Sequence, residues 1–167
     1  MPGIMMSDFH PEMNLFDALS PSEFKKLLGI ARRETVEAGS ALLREGGEAD
    51  TLSIILAGKV KVYKNGDSGE PIEIAQLASG SIFGEMGVFD GQPASATILA
   101  ADDAILLTIP RQRLFDFLKA NPDTAFTIMH TLIYILSTRL RKANVHASSV
   151  ASSNPALSEA LDQLFGD

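Results

Sequence analysis

Between Gly80 and Ile98 the chain reads Gly-Ser-Ile-Phe-Gly-Glu-Met-Gly-Val-Phe-Asp-Gly-Gln-Pro-Ala-Ser-Ala-Thr-Ile. A glycine-rich turn, one glutamate (Glu85) and a short helical stretch lie here between two strand-like runs. Consecutive backbone amides at such a helix start can receive phosphate oxygens, and glycine lets the main chain come close to them. A carboxylate beside them is a poor phosphate ligand but a good acceptor for a sugar hydroxyl. The combination therefore favours a ribose-phosphate over a bare phosphate. The alternative is an irregular turn in which Glu85 caps nearby amides and Ser95 and Thr97 are ordinary polar strand positions. Gly84 and Gly87 serve backbone geometry on either account.

Other chemistries have little to work with. Cysteine is absent, which removes disulfides, thiolate nucleophiles and cysteine-ligated metal centres. The three histidines, His10, His130 and His146, show no ligand spacing. His130, in the middle of an apolar helix, reads as a packed side chain. No nucleophile–base pair or metal cluster points to an enzyme, and no cofactor or metal is expected. The net charge of −7 opposes nonspecific association with nucleic acid or anionic membranes.

A chain of 167 residues, 46% hydrophobic and 21% charged, fits one globular domain. The N-terminus lacks the basic and apolar regions of a signal peptide. The longest apolar stretch, Ala125 to Leu136, is interrupted by Thr127, His130 and Thr131 and falls short of the roughly 20 residues needed to cross a bilayer. A cytoplasmic protein that contacts neither membrane nor DNA is expected.

The elements that must position the Gly80–Ile98 segment are legible on both sides of it. Ser20-Pro21-Ser22-Glu23 offers an N-cap, a proline at the first helical position and a glutamate set for a capping box. Phe24, Leu27, Leu28 and Ala31 follow at helical spacing, and a shorter helix from about Pro11 to Leu19 precedes them. From Thr35 to Ile109 short strands alternate with glycine-bearing turns, the pattern of a sandwich, jelly roll or barrel. Val60 and Val62 alternate with lysines toward Asn65-Gly66, which reads as a tight hairpin turn with positive φ. Arg111 to Ala120 forms a helix, and a long helix runs from about Pro122 to Asn144, about 33 Å at 1.5 Å per residue.

That long helix has two apolar faces. Phe126, Met129, Ile133, Leu136, Leu140 and Ala143 follow the three–four spacing of a coiled-coil seam, and Ala125, Ile128, Leu132 and Ile135 form the other face. A homodimer through the first face is expected, against a monomer that covers it with the tail residues Leu157, Leu161, Leu164 and Phe165. Arg139, Arg141 and Lys142 read as cations complementing the C-terminal end of the helix dipole rather than as a nucleic-acid patch. Residues 1–146 are expected to form the domain. Residues 147–167, serine-rich at first, are expected to form a flexible tail in which Asn154-Pro155 starts a short helix.

The segment Phe83-Gly84-Glu85-Met86-Gly87-Val88-Phe89, followed by Ser95-Ala96-Thr97, resembles the phosphate-binding cassette of the cyclic-nucleotide-binding domain family. That family includes the catabolite activator protein, the regulatory subunits of cyclic-AMP-dependent kinase and cyclic-nucleotide-gated channels. Gly39, Arg44-Glu45-Gly46, Leu52-Ser53-Ile54-Ile55, Gly58-Lys59-Val60 and Gly80 also fall where such domains have them, so the resemblance covers roughly Asn14 to Ala143. It implies a mainly β fold, a jelly-roll-like β-barrel with N-terminal helices and a long C-terminal helix. It further implies that Glu85 accepts a ribose 2′-hydroxyl and that the amides of Met86 and Gly87, with Ser95, meet the cyclic phosphate of cyclic AMP or cyclic GMP. Phe83, Gly84, Ala94 and Ala96 complete the implied site.

One departure stands out. The family's phosphate-pairing arginine should precede Ser95, and this chain has Ala94, with no Lys or Arg between Lys64 and Arg111. Two functions follow: a sensor that binds a cyclic nucleotide in the roll and signals through its C-terminal helix, or a degenerate roll that acts as an interaction scaffold. Related transcription regulators carry a helix-turn-helix domain after the long helix, and the roughly two dozen residues that follow here are too few for one.

Overall fold

The computed structural model describes residues 14–152 and Gln163. The described chain opens on two short helices, α1 (Leu15–Ala18) and α2 (Pro21–Leu28). The expected α1 start at Pro11 lies outside the described residues. Asn14 caps α1, its side-chain oxygen accepting from the backbone N–H groups of Phe16 and Asp17 at 2.9 and 3.1 Å. The capping box of α2 is formed as expected: Ser20 Oγ accepts from Glu23 N at 3.3 Å, and Glu23 Oε2 accepts from Ser20 N at 2.9 Å. The two helices meet through Phe16 and Phe24, edge to face with ring centroids 5.2 Å apart.

Eight strands follow: β1 (Arg32–Val36), β2 (Ala41–Leu43), β3 (Thr51–Ala57), β4 (Lys59–Asn65), β5 (Pro71–Ala78), β6 (Ile82–Phe83), β7 (Thr97–Ala100) and β8 (Ala104–Pro110), with helix α3 (Glu85–Asp90) between β6 and β7. They pair into two four-stranded antiparallel sheets of order β1-β8-β3-β6 and β2-β7-β4-β5. Ile55, Phe83 and Leu106 of the first sheet and Val60 and Ile98 of the second share one buried cluster, so the apolar faces of the sheets meet in a jelly-roll-like core. The sheets do not close into a single barrel. One edge of each sheet is very short, β2 with three residues and β6 with two. β1 starts at Arg32, ahead of the expected Thr35, because a mostly exposed edge strand needs no apolar alternation, only a partner.

The β4–β5 hairpin corrects another expectation. Gly66 does not have positive φ; Gly69 does, at 80°. The loop is closed by Gly66 N donating to the Glu70 carbonyl at 2.9 Å and Gly69 N donating to the Gly66 carbonyl at 2.8 Å. A connection this long shifts the left-handed residue from Asn65-Gly66 to its far end.

Helices α4 (Arg111–Ala120) and α5 (Pro122–Ser152) complete the described chain. Asn14–Met129 is one compact unit, holding both sheets and the start of α5; α5 from His130 onward belongs to a second. α5 passes the expected end at Asn144 and reaches Ser152, a length of about 46 Å. Serine costs only a few tenths of a kcal/mol per position in a helix interior, so the serine-rich composition did not stop it. Arg139, Arg141 and Lys142 therefore lie ahead of the last turn, which holds no basic residue, and do not complement its dipole. The helix expected from Asn154-Pro155 falls outside the described residues. Among the described residues no helix is long and apolar enough to cross a membrane.

Candidate ligand-binding site

Phe83 ends β6 with its ring in the core and its backbone paired to Ser53 of β3. From that anchor the chain must turn at once, and Gly84 does so with φ 79°. A side chain there would be strained and its Cβ would collide with the Thr51 carbonyl. Glu85 opens α3 and is 4% exposed, whereas Met86 beside it is exposed. Gly87 is required by space: a Cβ would run into the Ala49 methyl and carbonyl.

The second half of the segment returns along the Gly46-Gly47 turn. Ala94 N donates to the Gly47 carbonyl and Gly46 N donates to the Ala94 carbonyl, both at 2.8 Å. Ala94 and Ala96 are buried, at 5% and 8% exposure, with Ser95 exposed between them. The Ser95 hydroxyl donates to the Met86 sulfur at 3.7 Å and so joins the two halves. The sequence-predicted residues Phe83 to Gly87 and Ala94 to Ala96 thus lie on one turn–helix–turn frame.

Sequence reasoning overlooked a polar network beside it. Lys64, at the end of β4, donates to the Ser95 carbonyl at 2.7 Å and to Glu45 Oε1 at 3.0 Å. The other oxygen of Glu45 accepts from Asn65 N at 2.8 Å, and Glu45 N donates to Thr97 Oγ1 at 3.0 Å. The Asn65 backbone N–H, and after it the Lys64 ammonium, hold the Glu45 carboxyl below the usual carboxylate range. One signal was available: Lys64 has the parity of Val60 and Val62, the strand positions that face the core.

Two concavities lie nearby. A cavity of about 260 Å³ is bordered by Phe83 and Leu106 but also by Glu34, Glu48 and Asp50, which disfavour an anion. A groove of about 270 Å³ passes Gly87, Gly91 and Arg111. Phe83 borders the first and Gly87 the second; the other sequence-predicted site residues line neither. No cluster of histidine, aspartate or glutamate among the described residues is suited to a metal ion.

The family model for the cyclic nucleotide-binding domain matches residues 33–121, more than half of the chain. The chain belongs to the cyclic nucleotide-binding domain family. The matched stretch of the domain runs from β1 to the end of α4 and includes Glu45, Lys64 and the whole Phe83–Ala96 frame. Among its relatives is the cyclic AMP receptor protein of Thermus thermophilus, 28% identical over 131 residues, which cover 78% of this chain and 59% of the receptor. The chain thus spans less than two thirds of that relative's length. Among solved structures, the Thermus thermophilus catabolite activator protein superposes with a TM-score of 0.72 at 27% identity, over 85% of this chain and 63% of that one. A cyclic nucleotide-binding domain from Methylobacillus flagellatus gives a TM-score of 0.73 at 28% identity, over 77% of this chain and 72% of its own.

Proposed function

We propose that this domain is a non-enzymatic cytoplasmic sensor that binds a cyclic nucleotide at the Phe83–Ala96 frame and signals through α5. The observation that carries it is Glu85, a carboxylate 4% exposed on the first turn after Gly84. A carboxylate has two oxygens and several acceptor positions, so one fixed at this point of the frame suits a ribose 2′-hydroxyl as a further donor. The amides of Met86 and Gly87, with Ser95, meet the cyclic phosphate. Phe83, Gly84, Ala94 and Ala96 shape the surface around it.

Output runs through a homodimer along α5. Phe126, Ile133 and Leu140 of the predicted seam are 64%, 60% and 62% exposed, a stripe of large apolar side chains at helical spacing. Ligand binding shifts this helix only insofar as the ligand binds its two arrangements with different affinity.

A second reading, the degenerate roll acting as a scaffold, is favoured by Ala94, which is uncharged, 5% exposed and tied through its backbone to Gly46 and Gly47. Calorimetry with cyclic AMP, cyclic GMP and cyclic dinucleotides separates the two. The sensor binds one of them, and Glu85→Ala abolishes the heat while leaving the circular dichroism spectrum intact. Absence of heat from the natural chain and from Ala94→Arg alike would establish the scaffold instead.

A further inference from the structure

We propose that Lys64 supplies the phosphate counter-charge that position 94 lacks. The inference rests on the cyclic-nucleotide reading of the frame and assigns it a residue outside the family's cassette. Val60 and Val62 of β4 pair with Ala100 and Ile98 of β7, and Tyr63 pairs with Thr97. The next step brings Lys64 opposite Ala96, on the sheet face to which the buried Val60, Ile98 and Ala100 belong. Lys64 is therefore a cation at the outer end of an otherwise apolar inner row.

Its ammonium is already at the frame, 2.7 Å from the carbonyl of Ser95, the residue next to Ala94. An ammonium has three donors; Ser95 and Glu45 engage two of them, and the third is available to a phosphate oxygen. The four-carbon stem is flexible and the side chain is about half exposed, so a small swing needs no rearrangement of the core. Glu45 keeps the lysine extended toward β7 while the binding site is empty and shares its charge when a phosphate arrives. A solvated Lys–Glu pair of this kind contributes little to stability on its own, so loss of the lysine should be felt in the charged ligand and not in the fold.

The test is calorimetry of cyclic AMP and of uncharged adenosine against the natural chain, Lys64→Met, Ala94→Arg and the double variant. Lys64→Met should weaken cyclic AMP on the order of tenfold, the loss of one charge-assisted contact from a half-exposed group. Adenosine affinity should change less than about twofold, and adding Ala94→Arg to Lys64→Met should restore cyclic AMP. Equal losses for both ligands, or no loss for either, would make Lys64 a strut or a bystander and overturn the assignment. If the natural chain ignores cyclic AMP while Ala94→Arg binds it, Lys64 is excluded and the pocket reading survives. If no variant binds, the pocket reading itself falls and the Lys64 assignment with it.

Discussion

Gly87→Ala separates what helix propensity requires from what the frame permits. Gly87 sits inside α3 without positive φ, so propensity alone says that alanine should stabilise the helix by about 1 kcal/mol. The structure gives the opposite sign, because a Cβ at this position would overlap the Ala49 methyl and carbonyl and lie 3.0 Å from the Gln92 carbonyl. Two of those three obstacles are backbone, which cannot rotate away, so α3 or the Ala49 strand entry must shift. Three close atoms, two of them backbone, put the cost near the upper end of the about 1–3 kcal/mol that overpacking exacts, so about 2 kcal/mol of destabilisation remains after the helix gain. At about 2–4 °C per kcal/mol for a chain of this size, the net effect should be a fall of several degrees in Tm. Gly46→Ala is the control: its φ is +76° and nothing lies within 4 Å of the added methyl, so only the left-handed backbone cost of about 1–2 kcal/mol remains. Scanning calorimetry of both variants, with near-ultraviolet dichroism as a check on packing, reads the outcome. A Tm for Gly87→Ala equal to or above that of the natural chain would refute the steric reasoning and with it the rigidity of the frame.

Other perturbations have equally definite outcomes. Ala94→Arg in the natural background should tighten cyclic AMP about ten- to a hundredfold, by calorimetry, since one hydrogen bond to a charged group contributes roughly 1.5–3 kcal/mol and about 1.4 kcal/mol is tenfold. If α5 forms the proposed homodimer, the natural chain should run as a dimer and the double variant Ile133→Glu, Leu140→Glu as a monomer in size exclusion with light scattering at tens of micromolar, without lowering Tm in proportion. Ser20→Ala should cost about 1 kcal/mol at neutral pH. Its hydroxyl and backbone N–H hold the Glu23 carboxyl below the usual range, so the stabilisation is full above the ordinary carboxylate pKa of about 4.3 and is lost as pH falls through the lowered folded value. The gap between thermal melts of Ser20→Ala and the natural chain should accordingly narrow as the medium is acidified to pH 3, leaving the part due to the Glu23 N–H bond to Ser20 Oγ, which does not titrate.

The starts of α2 and α4 were legible in the sequence, whereas turn type, the end of α5 and strand pairing were not. The Ser20–Glu23 capping box spans four residues and forms as the sequence implies. Pro110 marks the start of α4, which runs from Arg111 to Ala120 as expected. Asn65-Gly66 misled because turn type depends on loop length, and the strands resume only at Pro71. The end of α5 was misread because serine is a weak helix breaker, and no glycine or proline punctuates the stretch between Asn144 and Ser152. In the candidate site, Phe83–Gly87 is one continuous segment and was visible as such. Lys64 was not, since its contact to Ser95 crosses 31 positions and arises only from the pairing of β4 with β7.

The paired hydrogen bonds between Ala94 and the Gly46-Gly47 turn have a consequence for how such a site changes over time. They are made by peptide groups, which every residue except proline carries in full. The backbone bonds that locate position 94 are thus the same for almost any side chain placed there. Charge at that point can be lost, regained or moved to a neighbouring strand by single substitutions, with no intermediate in which the loop has nowhere to go. On the sensor reading, ligand preference is consequently free to drift faster than architecture.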